Sequence, residues 1–332
     1  MQILIVNQSE VRQLLPMAEC IEVMAEALKA LARGQAILPL RPVMWLPEKA
    51  GALAMMPAYM EDLQIMGLKV VSVFPGNLHT EYDSHVGTVM IFETKHGQPL
   101  AIMDATEITA IRTAAVSGVA TNLLARKAAG DLAILGSGTQ ARTHLEAMLL
   151  CRKIRRVRIW SRNSENGRRF AERESRHHNV KVELMPTVQA ALEGADIICT
   201  TTSSPDPILA GHYLSRGAHV NAVGSSVPFA RELDTEAVVA SRLFVDRRES
   251  TVNEAGDFLI PKKEGVIGDS HIQGEIGEIL LGKVTGRKSD EETTLFKSLG
   301  LAVEDLASAN HIYRKAMAGG MGTKVELGGS RH

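Results

Sequence analysis

Asp131-Leu-Ala-Ile-Leu-Gly136-Ser137-Gly138-Thr139-Gln140-Ala141, followed by Arg142 to Leu150, is the stretch on which the fold turns. Leu132 to Leu135 is a short apolar run that reads as a buried strand. It stops at Gly136, and an amphipathic helix begins near Thr139. The intervening residues have the G-x-G-x-x-A form of the dinucleotide fingerprint. Gly136 permits the tight turn, Gly138 lets a pyrophosphate approach the backbone, and the small Ala141 lets helix and strand pack closely. The free N–H groups at the helix N-terminus then face the phosphates. Gly136, Ser137, Gly138, Thr139, Gln140 and Ala141 are therefore candidate cofactor residues. A second strand, Arg156 to Trp160, follows at the spacing that a βαβ unit requires.

The residues after that strand bear on which cofactor is held. An NAD site usually places Asp or Glu about 20 residues on, to accept from the ribose 2′-OH. Here the chain reads Ser161-Arg162-Asn163-Ser164-Glu165-Asn166. No acid at the strand end repels a 2′-phosphate, and the Arg162 guanidinium can pair with one. NADP(H) is the expected cofactor, with NAD(H) as the alternative.

Outward from this core, the 332 residues leave room for two domains and a substantial interior. Lys and Arg number 37 against 38 Asp and Glu, so no bulk field favours nucleic acid or an anionic membrane. The basic run Arg152-Lys-Ile-Arg-Arg-Val-Arg158 reads as a solvated face. Cys20, Cys151 and Cys199 are isolated and form no C-x-x-C pair, which fits a reducing cytoplasm with neither disulfides nor a bound metal. Met1 to Val6 is too short for a signal h-region, and no apolar run reaches membrane-spanning length.

Before the fingerprint, Gln2 to Val6 alternates like a strand, Ser9 looks like an N-cap, and Pro16 to Leu31 has helical spacing. From Leu38 to Met103, short apolar runs broken by Pro and Gly predict a mostly antiparallel sheet: Arg41–Leu46, Gly51–Met56, Gly67–Phe74, Gly87–Glu93 and Pro99–Met103. Ala105 to Ala125 is a long helix rich in small residues. Beyond the fingerprint, strands at Val180–Leu184, Ile197–Thr200, Val220–Val223 and Leu243–Val245 alternate with helices. That rhythm makes a parallel, doubly wound α/β sheet. Glu275 to Met317 reads as helical with glycine interruptions, and Gly328 to His332 as a disordered tail.

Three cations sit singly in apolar surroundings: Arg41, Lys69 and Arg112. Burying an unpaired charge costs several kcal/mol, roughly, so each needs an anionic partner or must reach water. Any one of them alone reads best as half of a structural ion pair. Three together, with no carboxylate close by in sequence, point also to a pocket for a carboxylate substrate.

At this point the chain resembles the ornithine cyclodeaminase/mu-crystallin family. The resemblance runs nearly its whole length. It rests on Arg41-Pro42, Gly67-Leu-Lys69, Glu107-x-Thr109-x-x-Arg112-Thr113-Ala114-Ala115, the Gly136 to Ala141 turn, Gly217-Ala-His-Val-Asn-Ala-Val-Gly224, Arg231-Glu-Leu-Asp234, Gly274-Glu275 with Gly277-Glu278, and Phe296-Lys-Ser-Leu-Gly300 before Val303-Glu-Asp305. The resemblance implies a Rossmann domain, residues 116–307. It also implies a second α+β domain, residues 1–115 plus 308–332, built on an antiparallel sheet that binds substrate and forms a homodimer. It implies that Arg41, Lys69 and Arg112 hold the substrate α-carboxylate. It further implies cofactor contacts from Ser84, His85, Arg112, Thr113, Gln140, Ser161, Arg162, Asn163, Asn166, Thr202, Val223 and Ser298.

One departure matters. Cyclodeaminases similar to this chain carry an aspartate after the Asn-Ala-Val-Gly run, where this chain has Ser226 in Gly224-Ser-Ser-Val-Pro228. Serine cannot act as a carboxylate base near neutral pH. Ketimine reductases of the family also have serine there. The expected activity is NAD(P)H-dependent reduction of a cyclic ketimine or imino acid of the 1-pyrroline-2-carboxylate or 1-piperideine-2-carboxylate type, with Lys69, Arg112 and Ser226 as candidate catalytic residues. The alternatives are ornithine cyclodeamination, amino-acid dehydrogenation, hydroxyproline dehydration, and a crystallin-like protein that holds NADPH and a small ligand without turnover.

Overall fold

A computed structural model describes residues 2–328, which form two compact units. The first comprises Met1–Arg112 with Leu301–His332, and the second Thr113–Gly300. The end of the expected tail, residues 329–332, lies outside the described residues.

Strands of the first unit are β1 (Gln2–Val6), β2 (Ala36–Ile37), β3 (Val43–Trp45), β4 (Ala52–Met60), β5 (Ile65–Val73), β6 (His85–Glu93) and β7 (Pro99–Asp104). The second unit contributes β8 (Asp131–Leu135), β9 (Arg156–Trp160), β10 (Val182–Leu184), β11 (Ile197–Thr200), β12 (His219–Ala222), β13 (Arg242–Val245), β14 (Ile272–Glu275) and β15 (Thr294–Lys297). A last strand, β16 (Thr323–Glu326), returns to the first unit.

In the first unit the sheet order is β16-β1-β7-β6-β5-β4-β2, with β3 also paired to β4. Every pairing is antiparallel except β1 with β7. Pro57 interrupts the expected run at Met56, yet β4 continues to Met60. The outer edge of β4 pairs with β3 only at Ala52–Ala54 and with β2 only at Tyr59–Met60, so the proline falls in the gap where no ladder donor is needed. Helix Ala302–Gly319 covers the sheet over β4, β5 and β6, and helix Met17–Ala32 packs on that helix. The former buries one face so fully that Gly67 has no room for a Cβ, which would meet Leu306 Cδ1 at 2.6 Å and Met90 O at 2.5 Å.

The second unit is a fully parallel sheet in the order β10-β9-β8-β11-β12-β15-β13-β14. The order reverses between β8 and β11, the switch point where α/β sheets of this kind take their ligands. Its strands are buried on both faces, as continuous apolar runs such as Ile197–Thr200 require.

Three expectations need correction. The first helix, Gln8–Leu14, is capped by Asn7 rather than Ser9: Asn7 Oδ1 accepts from the Ser9 and Glu10 amides, and Glu10 accepts from the Asn7 amide in return. The segment from Glu275 onward is not all helical, because Thr294–Lys297 is a central strand between β12 and β13. A four-residue buried run carries no period by which strand and helix can be told apart. Finally, the basic run is not a solvated face throughout. Arg158 is buried and donates to the Ala190 and Glu193 carbonyls, while Arg152 caps the Thr121 and Ala125 carbonyls at the end of helix Ala105–Leu124.

Candidate active site

The first unit brings the three cations together, Lys69 and Arg112 buried and Arg41 only half-buried. Lys69 lies mid-strand on β5, and Arg112 lies on helix Ala105–Leu124. Lys69 Nζ sits 2.7 Å from Asp305 Oδ2 and 3.4 Å from Thr109 Oγ1. Arg112 donates from Nε to Asp305 Oδ1 at 2.9 Å and from Nη1 to Glu304 Oε2 at 2.8 Å. Arg41 is near enough for its charge to oppose protonation of Lys69. Burial lowers the Lys69 ammonium to about 8; Asp305 opposes that shift, while Arg112 and Arg41 add to it. Lys69 and Arg112 thus share two carboxylates, Glu304 and Asp305, with Arg41 close enough for its charge to act on Lys69.

Asp305 and Glu304 were quoted in the sequence only as part of a motif. They are the anionic partners, and they arrive from the far end of the chain on helix Ala302–Gly319. Sequence distance hid them. The signal was present all the same: adjacent acids flanked by apolar and small residues, Leu301-Ala-Val303 before them and Leu306-Ala-Ser-Ala309 after.

Ser84 and His85 also belong to the first unit. The Ser84 hydroxyl lies 3.0 Å from His85 Nδ1. His85 pairs with Val73 at the start of β6, four residues along that strand from Val89, the partner of Lys69.

The second unit assembles the dinucleotide turn. Gly136 has φ of +129°, and a Cβ there would meet Thr201 Oγ1 at 2.7 Å and Thr201 O at 2.8 Å. Only glycine fits. Gly138 caps helix Thr139–Cys151, and a Cβ built there would meet nothing within 4 Å. That open space above a helix N-terminus is where a phosphate can touch the backbone. His144 holds the first turn of the helix in place. Its Nδ1–H donates to Gln140 O at 2.7 Å, and its Nε2 accepts from Ser117 at 2.9 Å, with burial pulling its pKa down to about 4.

Beside the turn, Ser137 and Ser161 are linked hydroxyl to hydroxyl at 2.8 Å. Asn163 caps the next helix, Ser164–His178, by accepting from the Asn166 amide at 3.0 Å. Arg162 is exposed at the same strand end. A cavity of about 270 Å³ is lined by Ser137, Asn166, Arg169, Phe170 and Arg173. Arg169 was not singled out in the sequence; it lies one helical turn beyond Asn166, to whose Oδ1 it donates at 2.6 Å.

At the ends of β11, β12 and β15 lie Thr202, Val223 and Ser298. Glu232, fully buried, accepts from the Thr202 amide at 2.7 Å, the Thr202 hydroxyl at 2.6 Å and the Gly224 amide at 2.7 Å. Lys297 Nζ donates to Ser225 O and lies 2.9 Å from Asp257 Oδ2. Asp257 Oδ1 accepts from the Glu232 and Leu233 amides, and Asp246 accepts from the Leu299 and Gly300 amides. Ser226 is half-buried in this loop, and Thr113 is buried on its helix. None of Glu232, Asp246, Asp257 and Lys297 was assigned a role from sequence. Lys297 inside Leu295-Phe-Lys-Ser-Leu299 carries the same signal, a charge in an apolar run, that singled out Lys69.

The buried Ser298 hydroxyl and Gln140 Oε1 have no hydrogen-bond partner within the protein. Buried polar atoms rarely remain so; Gln140 lies in the first turn of the helix that begins at the dinucleotide turn, and Ser298 follows the end of β15. With the space over Gly138 and the cavity beside Ser137, they fit a bound dinucleotide. Among the described residues no group of His, Cys, Asp and Glu side chains could hold a metal ion, and no helix is long and apolar enough to cross a membrane.

A switch-point dinucleotide turn on a parallel sheet, and a separate sheet unit carrying a buried cation cluster, define a two-unit nucleotide-dependent enzyme fold. The chain belongs to the ornithine cyclodeaminase/mu-crystallin family, whose model matches residues 1–320. It is 37% identical over 325 residues to Delta(1)-pyrroline-2-carboxylate reductase of Bacillus cereus, covering 98% of this chain and 100% of that one. It is 39% identical to the ketimine reductase mu-crystallin of Mus musculus, over 84% of this chain and 85% of that one. Among solved structures, Thermococcus litoralis Delta(1)-pyrroline-2-carboxylate reductase in complex with NADH and L-proline superimposes with a TM-score of 0.95 at 40% identity, covering 97% and 100% of the two chains. These relatives are oxidoreductases acting on C=N bonds.

Proposed function

We propose that this protein is an NAD(P)H-dependent reductase of small cyclic ketimines that carry a carboxylate, with 1-pyrroline-2-carboxylate and 1-piperideine-2-carboxylate as the candidate substrates and the L-amino acid as product. The observation that carries the reading is the meeting of two buried cations, Lys69 and Arg112, on the shared carboxylate of Asp305, with the half-buried Arg41 close by. A substrate carboxylate would accept from these cations. The two acids pre-orient the cations, so little side-chain ordering remains to oppose binding. Fixing the carboxylate fixes the adjacent imine carbon, which is the protein's part in the reaction.

A reduced nicotinamide, when bound, would supply the hydride that this carbon receives. Gly136 to Ala141 would hold the pyrophosphate, Thr202, Val223 and Ser298 the remainder of the cofactor. Arg162, with Asn163 and Asn166, would take the adenosine ribose, and NADPH is the favoured form because Arg162 stands where an acid would otherwise repel a 2′-phosphate. The loop at Ser226 has no carboxylate from Gly224 to Pro228, which weighs against ornithine cyclodeamination.

The partner we propose is a second copy of this chain. Strand β3 exposes all three of Val43, Met44 and Trp45, and Ile37, Leu40 and Leu46 beside it in sequence are exposed as well. An apolar face of that kind on a sheet edge needs covering.

The direct test follows the absorbance of reduced nicotinamide with each candidate imine, for NADPH and NADH in parallel. We expect turnover with both imines. No oxidation of either cofactor anywhere from about pH 5 to 9 would remove the proposal.

A further inference from the structure

Glu232 is a buried carboxylate that ties together two loops at the switch-point side of the parallel sheet. Its Oε1 accepts from both the amide and the hydroxyl of Thr202, after β11, and its Oε2 accepts from the amide of Gly224, after β12. The two loops are pressed close. A Cβ on Gly224 would lie 2.1 Å from Thr202 O and 2.4 Å from Glu232 Oε1, so glycine is required for Glu232 to reach both. The backbone of Glu232 is anchored from behind. Asp257 accepts from the Glu232 amide at 2.9 Å, and Lys297, 2.9 Å from Asp257, donates to the carbonyl of Ser225. Thr202 and Gly224, which donate to Glu232, flank the loops that carry Val223 and Ser226, and neither belongs to the Gly136–Ala141 turn or the Ser161–Asn166 segment.

The geometry points to Glu232 as a positioning residue for the nicotinamide half of the cofactor, acting through Thr202 and the Val223–Gly224 loop and not on the adenosine half. This rests on the dinucleotide reading above. A bridge of three charge-assisted hydrogen bonds that crosses two loops holds them at one spacing; an amide in its place keeps the size but turns a donor toward one of those N–H groups.

The test measures binding of NADPH and of 2′,5′-ADP, a fragment with the adenosine half alone, to wild-type protein, Glu232→Gln and Gly224→Ala, with a thermal melt of each. Gly224→Ala leaves Glu232 in place but forces the loops apart, so it reports on the same bridge if Glu232→Gln folds poorly. Both variants are expected to lose NADPH affinity by roughly tenfold or more while 2′,5′-ADP affinity stays within about twofold. Equal losses for the two ligands, or NADPH affinity unchanged in folded variants, would overturn the assignment. Wild-type protein that binds neither ligand would instead sink the dinucleotide reading, and this inference with it.

Discussion

Lys69 Nζ lies 2.7 Å from Asp305 Oδ2 with both side chains buried, and the same carboxylate receives the Arg112 guanidinium on its other oxygen at 2.9 Å. One acid is therefore shared by two cations. Removing either cation leaves Asp305 still paired, which softens the roughly 3–5 kcal/mol that breaking an isolated buried pair would cost. Lys69→Met should accordingly fold, with a modest loss in melting temperature, while kcat/KM for the imine falls by roughly tenfold to a hundredfold and NADPH affinity is kept. A variant that melts far earlier yet turns over normally would reduce Lys69 to a structural role.

Lys69 also sets a pH dependence. Its pKa in the folded protein is about 8, below the ordinary 10.5, because burial disfavours the ammonium. Between those values the unfolded chain holds the extra proton, so raising pH through this window stabilises the fold, by up to about 1.4 kcal/mol per pH unit from this group. The same rise removes the charge that a carboxylate substrate needs. KM should therefore climb above pH 8 as the stability difference between wild type and Lys69→Met shifts in favour of wild type. Substrate titrations and denaturant melts across the window check both directions, and a KM flat with pH would argue against a carboxylate held by Lys69.

Arg162→Asp should discriminate between cofactors. It replaces an exposed partner for a 2′-phosphate with a like charge, so NADPH affinity should drop by roughly tenfold to a hundredfold while NADH changes little. Fluorescence titration of each reduced cofactor measures this. Equal losses would leave Arg162 with no part in the preference.

The two glycines of the dinucleotide turn should fail in different ways. Gly136→Ala places a Cβ against the Thr201 backbone at a φ of +129°, so the variant should lose stability and bind cofactor poorly. Gly138→Ala meets open space, so its melt should match wild type while dinucleotide affinity falls. If Gly138→Ala binds NADPH as wild type does, the phosphate does not approach that backbone.

Trp45→Glu should dissociate an assembly built on β3. Trp45 is 49% exposed in the single chain, and Met44 beside it is 53% exposed. Sedimentation of wild type at twice the monomer mass, and of the variant as monomer, is the expected pair of outcomes. A wild-type protein that sediments as a monomer would refute the proposed partner.

The parallel sheet was the more legible half of the molecule. Strands such as Leu132–Leu135 and Ile197–Cys199 are short, apolar and followed by turn residues, and the Gly136 turn sits between a strand and a helix as a dinucleotide turn requires. Thr294–Lys297 escaped because its buried lysine broke the apolar run, and that lysine is paired with Asp257, forty residues earlier. At the site, Lys69 and Arg112 announced themselves as charges in apolar runs. Their partners did not, because what makes Asp305 and Glu304 functional is their contact with strands and helices read from the opposite end of the chain. Local pattern finds the need for a partner; only the fold supplies it.

That arrangement has a consequence for how the protein is made. Synthesis releases Lys69 and Arg112 early, whereas Glu304, Asp305 and the edge strand β16 come last. Until helix Ala302–Gly319 leaves the ribosome, the sheet of the first unit lacks both its cover and the acids that neutralise its buried charges. The uninterrupted second unit can complete its core while translation continues. A chain stalled before residue 301 would thus carry a finished nucleotide unit and an unfinished one, prone to proteolysis or to chaperone capture, so the last tenth of the message controls whether the whole product survives.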